Sequence, residues 1–157
     1  MSNMCYFSMK VKGKKENINT FYNMLSQEGN IYMGRGACAE IKVKDNEAYI
    51  DGECKWSVED SLIDDAKSMK NDPNSWFFDD DIDNTKLEFI TLFEACKKLS
   101  LEMECYSEET GNCFQEHLLY RNNTIEINEA REIEETEDDN GDYEIIGGYE
   151  NWGEFII

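Results

Sequence analysis

Alternation of apolar and polar side chains is the feature that most limits how this chain can fold. Between Cys5 and Val11 every second residue is apolar, which predicts a strand with one buried face. Similar alternation is found in further segments: 36–54, 101–105, 113–120 and 124–128. A chain patterned in this way pairs its strands into a sheet and buries one face of that sheet against another layer.

Three connections carry turn signals. Asp45-Asn46 and Asn122-Asn123 tolerate left-handed φ values, so each pair predicts a two-residue turn between antiparallel strands. The segment Glu108–Gly111 predicts a third turn, in which the glycine supplies a positive φ. The strands are therefore expected to form hairpins.

Three other stretches repeat apolar residues at helical spacing. The first predicts a helix over residues 15–28, and the second follows Ser57, which is a capping residue. The third is preceded by a capping box at Thr85 and Glu88 and carries an apolar stripe that ends at Leu99.

The predicted element order is β-α-β-β-α-α-β-β-β. Its first part is the arrangement of a split βαβ sheet, so we expect an α+β fold with a ferredoxin-like antiparallel sheet and helices on one face. The length of 157 residues suits one such domain with an extra tail. We place the domain at residues 1–128 and an acidic C-terminal extension at residues 129–157.

Charge is the most unusual property of the composition. The chain has 35 acidic and 15 basic residues, a net charge of −20, which repels nucleic acid and anionic membranes and attracts basic proteins. Residues 129–157 hold eleven acids and one base, Arg131. The same segment carries Tyr149 and Trp152, and a purely disordered acidic tail is poorer in aromatic residues. We expect it to dock on its own domain or on a partner.

Apolar runs and cysteine spacing bear on where the protein acts. No apolar run approaches the roughly 20 residues of a membrane span, and the N-terminus lacks the pattern of a secretory signal. We therefore expect a cytoplasmic protein, in the cytosol of a host cell. The cysteines occur singly and are expected to be buried free thiols, with zinc or disulfides as the alternatives: Cys5, Cys38, Cys54, Cys96, Cys105 and Cys113.

Alternating aspartates at Asp79, Asp81 and Asp83 mimic the opening of a calcium-binding loop. The match fails afterwards, because Asn84 replaces the glycine at position six and Ile90 stands where the loop needs a glutamate. A solvated acidic loop is the expected structure, and we assign neither a metal site nor a cofactor.

One strand places an acid among apolar residues. In segment 113–120, Glu116 shares the core face with Phe114, and an acid there needs a partner, for which Lys55 is a candidate. Glu116 or His117 would also suit a general base. His117 lies on the opposite face, which favours a surface position over a ligand role.

Two segments carry a family resemblance: Gly-Glu-Cys-Lys-Trp-Ser-Val at residues 52–58, and Tyr-Ser-Glu-Glu-Thr-Gly-Asn-Cys-Phe-Gln-Glu-His at residues 106–117. Together with the strand order they resemble the YubB-like family, which has a ferredoxin-like domain and is encoded on plasmids, phages and conjugative elements. The resemblance covers about residues 4–128. It implies a fold and a mobile-element origin, without an activity.

Aromatic residues interleave with acids where a nucleic-acid binder would have bases. Our leading hypothesis is a non-enzymatic protein that imitates nucleic acid and inhibits a basic, nucleic-acid-handling host protein, as an anti-CRISPR or anti-restriction factor does. The alternatives are an interaction module whose charge serves only solubility, and a small enzyme using the region of Glu108, Glu109, Glu116 and His117. The candidate partner-binding residues are Trp76, Asp79, Asp80, Asp81, Asp83, Glu132, Glu134, Glu135, Glu137, Asp138, Asp139, Asp142, Glu144 and Trp152.

Overall fold

The computed structural model describes residues 3–72 and 86–157. In chain order the elements are β1 (Met4–Lys12), α1 (Lys15–Leu25), β2 (Ile31–Met33), β3 (Cys38–Lys44), β4 (Glu47–Lys55), a π-helical segment (Asp60–Asp64), α2 (Asp65–Asn71), β5 (Glu88–Ile90), α3 (Leu92–Lys98), β6 (Glu102–Glu109), β7 (Phe114–Arg121), β8 (Thr124–Glu132), β9 (Glu134–Glu137) and β10 (Tyr143–Ile146).

A six-stranded sheet in the order β3-β4-β1-β6-β7-β8 dominates the fold. Every neighbouring pair of strands in it runs antiparallel. Two smaller pairings accompany it: β2 lies parallel to β5, and β9 lies antiparallel to β10. The predicted α+β class and large antiparallel sheet are confirmed.

The alternation in β1 produces the buried face that it predicts. Cys5, Phe7, Met9 and Val11 are all buried, and they join one core with apolar side chains of α1, α3 and the helical region before α2. Burying each large side chain of this kind contributes about 1.5–3 kcal/mol. We call this side of the sheet the helix face and the opposite side the outer face.

The turn predictions are confirmed in two cases and wrong in one. Asn122 and Asn123 both have positive φ, as a tight hairpin turn requires, and β3 and β4 are joined by two residues. Gly111 does not take the predicted positive φ, which occurs at Cys113 instead. The reason is that the carboxylate of Glu109 accepts hydrogen bonds from the Gly111 and Asn112 amides and sets the course of the turn.

A side-chain hydrogen bond caps the helical stretch that follows β4. The predicted cap at Ser57 is confirmed, because its hydroxyl accepts a hydrogen bond of 2.9 Å from the Asp60 amide.

The helix that follows contains the π-helical segment, where one extra residue per turn displaces the backbone. The Ser61 carbonyl accepts a hydrogen bond of 3.1 Å from the Arg35 amide, which ties the loop after β2 to the helix.

The predicted start of the third helix is wrong. Thr85 lies outside the described residues, and Glu88 begins strand β5, which pairs with β2. The helix starts later, where Thr91 acts as its cap: the threonine hydroxyl accepts from the Glu94 amide at 3.2 Å. Two Thr-x-x-Glu motifs therefore compete in the sequence, and strand pairing by Phe89 selects the second.

All six cysteines are free, and the predicted burial is confirmed for Cys5, Cys54, Cys96 and Cys105. It is wrong for Cys38, which is exposed, and for Cys113, which is half-buried. Burial raises the pKa of the Cys96 thiol, so this side chain behaves as a small apolar residue.

None of the helices in the described part of the chain is long and apolar enough to cross a bilayer.

Replacing Thr91 with alanine should lower the free energy of unfolding by about 1 kcal/mol, because the Glu94 amide loses its acceptor. Thr91→Ser keeps the hydroxyl and is the matched control, expected to lose less. Urea denaturation of the two variants makes the comparison, and equal losses would show that the cap contributes nothing.

Candidate interaction surface

Residues after β10 cross the outer face of the sheet. The ring of Tyr149 lies 5.9 Å from that of Tyr106 on β6, and the ring of Phe155 lies 5.7 Å from Tyr106 and 6.5 Å from Tyr49 on β4. Phe155 is buried. The predicted docking of this segment is therefore found on the protein's own sheet.

Hydrogen bonds fasten the crossing at both ends. The Tyr149 amide donates to the Gln115 side chain at 2.7 Å, and the Ile157 amide donates to Asp51 at 2.8 Å. Gly148 permits the first contact, since a Cβ atom there would lie 2.6 Å from the Gln115 oxygen. We call residues 147–157 the strap.

The strap covers His117, which the sequence placed on the surface. The imidazole stacks on Tyr106 at 4.3 Å between ring centroids, meets the edge of Tyr149 at 5.4 Å and lies 2.7 Å from a carboxylate oxygen of Glu104. The Nε2 atom and the ring of this histidine thus have neighbours within the protein. This arrangement is typical of a packing histidine.

Glu116 is buried on the helix face, with 3% of its surface exposed. The predicted partner Lys55 is wrong. Instead, the Glu116 carboxylate accepts hydrogen bonds from the Val58 and Glu59 amides at 2.8 and 3.1 Å, and from the Ser107 hydroxyl at 2.6 Å. Amides at the start of a helix carry partial positive charge and satisfy a carboxylate without a cation.

Burial raises the pKa of Glu116, and the hydrogen bonds from Ser107, Val58 and Glu59 act against that rise. The carboxyl therefore protonates more readily than an exposed glutamate, although each of its hydrogen bonds favours the ionised form. The carboxylate therefore uses its hydrogen bonds within the protein, at the start of the helix and on β6.

The four residues of the enzymatic alternative do not converge. Glu109 and Glu116 are buried towards the helix face, whereas Glu108 and His117 lie on the outer face. Glu109 accepts from backbone amides of its own turn, and Glu108 accepts from Gln115. The shared pocket on which that alternative depends is not formed by these side chains.

Strands β9 and β10 form a hairpin that stands out from the sheet. Of their eight residues only Thr136 is half-buried, and all the others are exposed. Three of the exposed side chains are large and apolar: Tyr143 at 72%, Ile146 at 49% and Ile145 at 37%. Ile133 anchors the base of the hairpin, because it is buried and its amide donates to the Cys113 carbonyl at 2.8 Å.

The two faces of the hairpin differ in composition. Tyr143 pairs with Glu137 and Ile145 with Glu135, and directly opposed residues of an antiparallel pair point to the same face. One face therefore presents an aromatic and an aliphatic side chain beside two carboxylates. We call this combination the hairpin face.

Positive charge does not compensate for these acids. Arg131, the one base in residues 129–157, lies with its guanidinium 4.0 Å from the Tyr149 ring and 3.9 Å from the Glu129 carboxylate. Within residues 3–72 and 86–157, no ion pair involves an acid of residues 132–144. The hairpin therefore presents uncompensated negative charge.

The structure brings most of the predicted partner-binding residues together and leaves others apart. Glu132 ends β8, and the hairpin strands and their turn carry Glu134, Glu135, Glu137, Asp138, Asp139, Asp142 and Glu144. Trp152 is separate, because it belongs to the strap. The remaining candidates lie outside the described residues: Trp76, Asp79, Asp80, Asp81 and Asp83.

The hairpin of β9 and β10 was not among the elements predicted from the sequence. Asn140-Gly141 is a strong turn signal, Gly141 has a φ of 83°, and apolar residues alternate just after it. That pattern, read beside the acids, would have predicted the exposed apolar side chains of β10. The predicted boundary at residue 128 falls within β8, which continues to Glu132.

Comparison with family models, with curated proteins and with solved structures finds no match for this chain.

No group of three or more histidine, cysteine, aspartate or glutamate side chains suited to a metal ion occurs in the described part of the chain.

Replacing Glu116 with alanine should lower the free energy of unfolding by about 2–4 kcal/mol, because the Val58 amide, the Glu59 amide and the Ser107 hydroxyl lose their acceptor. Glu116→Gln retains one acceptor oxygen and should lose about 1 kcal/mol. Urea denaturation measures both, and a smaller loss in the alanine variant would contradict the role assigned to the carboxylate.

Stability should also depend on pH through Glu116. Because burial raises its pKa in the folded state above the ordinary 4.5, its protonation favours folding. That contribution is complete below the ordinary pKa and is lost as pH rises through the raised one. The difference in unfolding free energy between the wild-type protein and Glu116→Gln should therefore decrease as pH rises from about 4 to about 7. A difference independent of pH would be the contrary result.

Proposed function

We propose that this protein is a non-enzymatic binding protein whose hairpin face docks into a basic groove of a nucleic-acid-handling protein. The observation that carries the proposal is the exposure of Tyr143 and Ile145 beside the uncompensated carboxylates of Glu135 and Glu137. Carboxylates along a strand imitate a line of phosphates, and adjoining apolar side chains supply binding energy that does not depend on charge.

The isolation of the hairpin supports a partner. A two-stranded hairpin is marginally stable in water by itself, and its free edges leave backbone amides and carbonyls to solvent. The acids protect these edges against pairing with another copy of the same chain, since like charges would meet. A basic surface is the complementary occupant.

The finer assignments of fold and origin belong to the same proposal. The order β3-β4-β1-β6, with helical connections after β1 and after β4, supports a ferredoxin-like split βαβ sheet to which β7 and β8 are added. A YubB-like protein of a plasmid, phage or conjugative element would act in the host cytosol. There, inhibition of a CRISPR effector or a restriction enzyme would benefit the element.

Capture from a bacterial host lysate, followed by measurements on the purified captured protein, tests the proposed function. The wild-type protein should retain a nucleic-acid-binding protein at low salt and release it when nucleic acid is added. The triple variant Glu134→Gln, Glu135→Gln, Glu137→Gln should bind that protein at least about tenfold more weakly. Affinity of the wild type should fall at least about tenfold between 50 and 200 mM salt, as expected when several charge contacts are screened.

A matched triple variant controls for net charge. Glu16, Glu28 and Glu88 are exposed and lie away from the hairpin, so their replacement by glutamine changes the charge by the same amount and should leave affinity nearly unchanged. Equal weakening in both triple variants would show that only total charge matters. Affinity independent of salt would refute nucleic-acid imitation.

A further inference from the structure

A second surface lies between the strap and the outer face of the sheet. It is a groove of about 520 Å³, and its lining includes Tyr6, Glu40, Asp51, Glu53, Glu108 and Trp152. Four of these side chains are carboxylates. No lysine or arginine is among the residues that line the groove within the described chain.

Strand register explains why the carboxylates lie together. Tyr6 on β1 is paired with Glu53 of β4 on one side and with Glu108 of β6 on the other. Asp51 and Glu40 form the next pair, between β4 and β3. Paired residues point to the same face, so the ring of Tyr6 has a carboxylate on each side.

The carboxylates differ in how they are satisfied. Asp51 accepts from the Ile157 amide, and Glu108 accepts from Gln115. Among the described residues, Glu40 and Glu53 have neither a hydrogen bond nor an ion pair through their side chains. A cleft with charges of one sign concentrates the field and favours a cation.

The other end of the outer face carries charges of both signs. Lys10 and Lys12 lie there, at 4.0 and 3.8 Å from the Glu47 carboxylate. The lysines of this end are thus engaged with an acid of their own, away from Glu53. The groove differs from this end in that its lining, in the part of the chain that the structure describes, has carboxylates and neither lysine nor arginine.

Aromatic side chains add stacking surfaces to the carboxylates of the groove. Tyr6 is 49% exposed although it lies in the middle of a sheet, and Trp152 lines the groove from the strap.

From these features we propose that the groove binds an arginine side chain of a partner polypeptide. The planar guanidinium stacks on Tyr6 or Trp152 and donates to Glu53 and Glu40, a combination of stacking and paired hydrogen bonds that lysine does not match. The proposal rests on the proposed function only in requiring a basic partner. Hairpin and groove are separate surfaces, so either can fail without the other.

Titration with short blocked peptides tests the groove directly, without the natural partner. The probes are acetyl-Gly-Arg-Gly-amide, the same peptide with lysine, and the same peptide with citrulline, which has nearly the shape of arginine without its charge. The arginine peptide should bind with a dissociation constant on the order of 1 mM and shift the indole N–H signal of Trp152 in ¹⁵N–¹H spectra. The lysine peptide should bind more weakly, and the citrulline peptide should cause no shift.

A pair of double variants locates the site. Glu40→Gln with Glu53→Gln should weaken binding of the arginine peptide at least about fivefold, whereas Glu16→Gln with Glu28→Gln on the helix side should leave it unchanged. Thermal unfolding of both variants confirms that they are folded. Equal binding of arginine and citrulline, equal binding of arginine and lysine, no shift at Trp152, or full affinity in the Glu40/Glu53 variant would each overturn the proposal.

Discussion

Apolar and aromatic side chains lie on both faces of the large sheet, and their burial requires a second layer on each side. Helices cover one face through the core that includes Phe7 and Met9. The opposite face carries Tyr106 and Tyr49, which would be exposed without the strap and its Phe155. To reach that face, the chain turns back after β8. The hairpin of β9 and β10 lies in this connection between β8 and the strap. Packing of the strap and projection of the hairpin are therefore consequences of one constraint.

Acids that lie inside this highly charged protein are neutralised by backbone groups. Glu109 accepts from two amides in the turn after β6, and Glu116 accepts from two amides at a helix start. Backbone donors are fixed in place and leave the few lysines and arginines for the surface. The other acids of the described chain are exposed or half-buried, where self-repulsion at a net charge of −20 is weaker and a cationic partner gains most. The buried acids therefore stabilise the fold, and the exposed ones are available for binding.

The sequence predicts those parts of the fold that depend on local preference. Alternation located β1, and the positive φ of Asn122 and Asn123 followed from their residue types. Where two local signals competed, tertiary pairing decided: the capping motif at Thr91 prevailed because Phe89 pairs with β2. The partners of Glu116 and the groove around Tyr6 depend on register between strands distant in sequence. Pattern analysis of a single sequence does not supply that register.

The π-helical segment couples two parts of the molecule that ordinary helical geometry would leave independent. An uninterrupted α-helix uses its interior carbonyls within itself, whereas Ser61 offers its carbonyl to the Arg35 amide. Gly34 must lack a side chain there, since a Cβ atom would lie 2.0 Å from that oxygen. Removal of one residue from the segment would return the carbonyl to the helix and release the loop. Insertions and deletions at this position would thus be transmitted to the segment that leads into β3, an edge strand of the sheet.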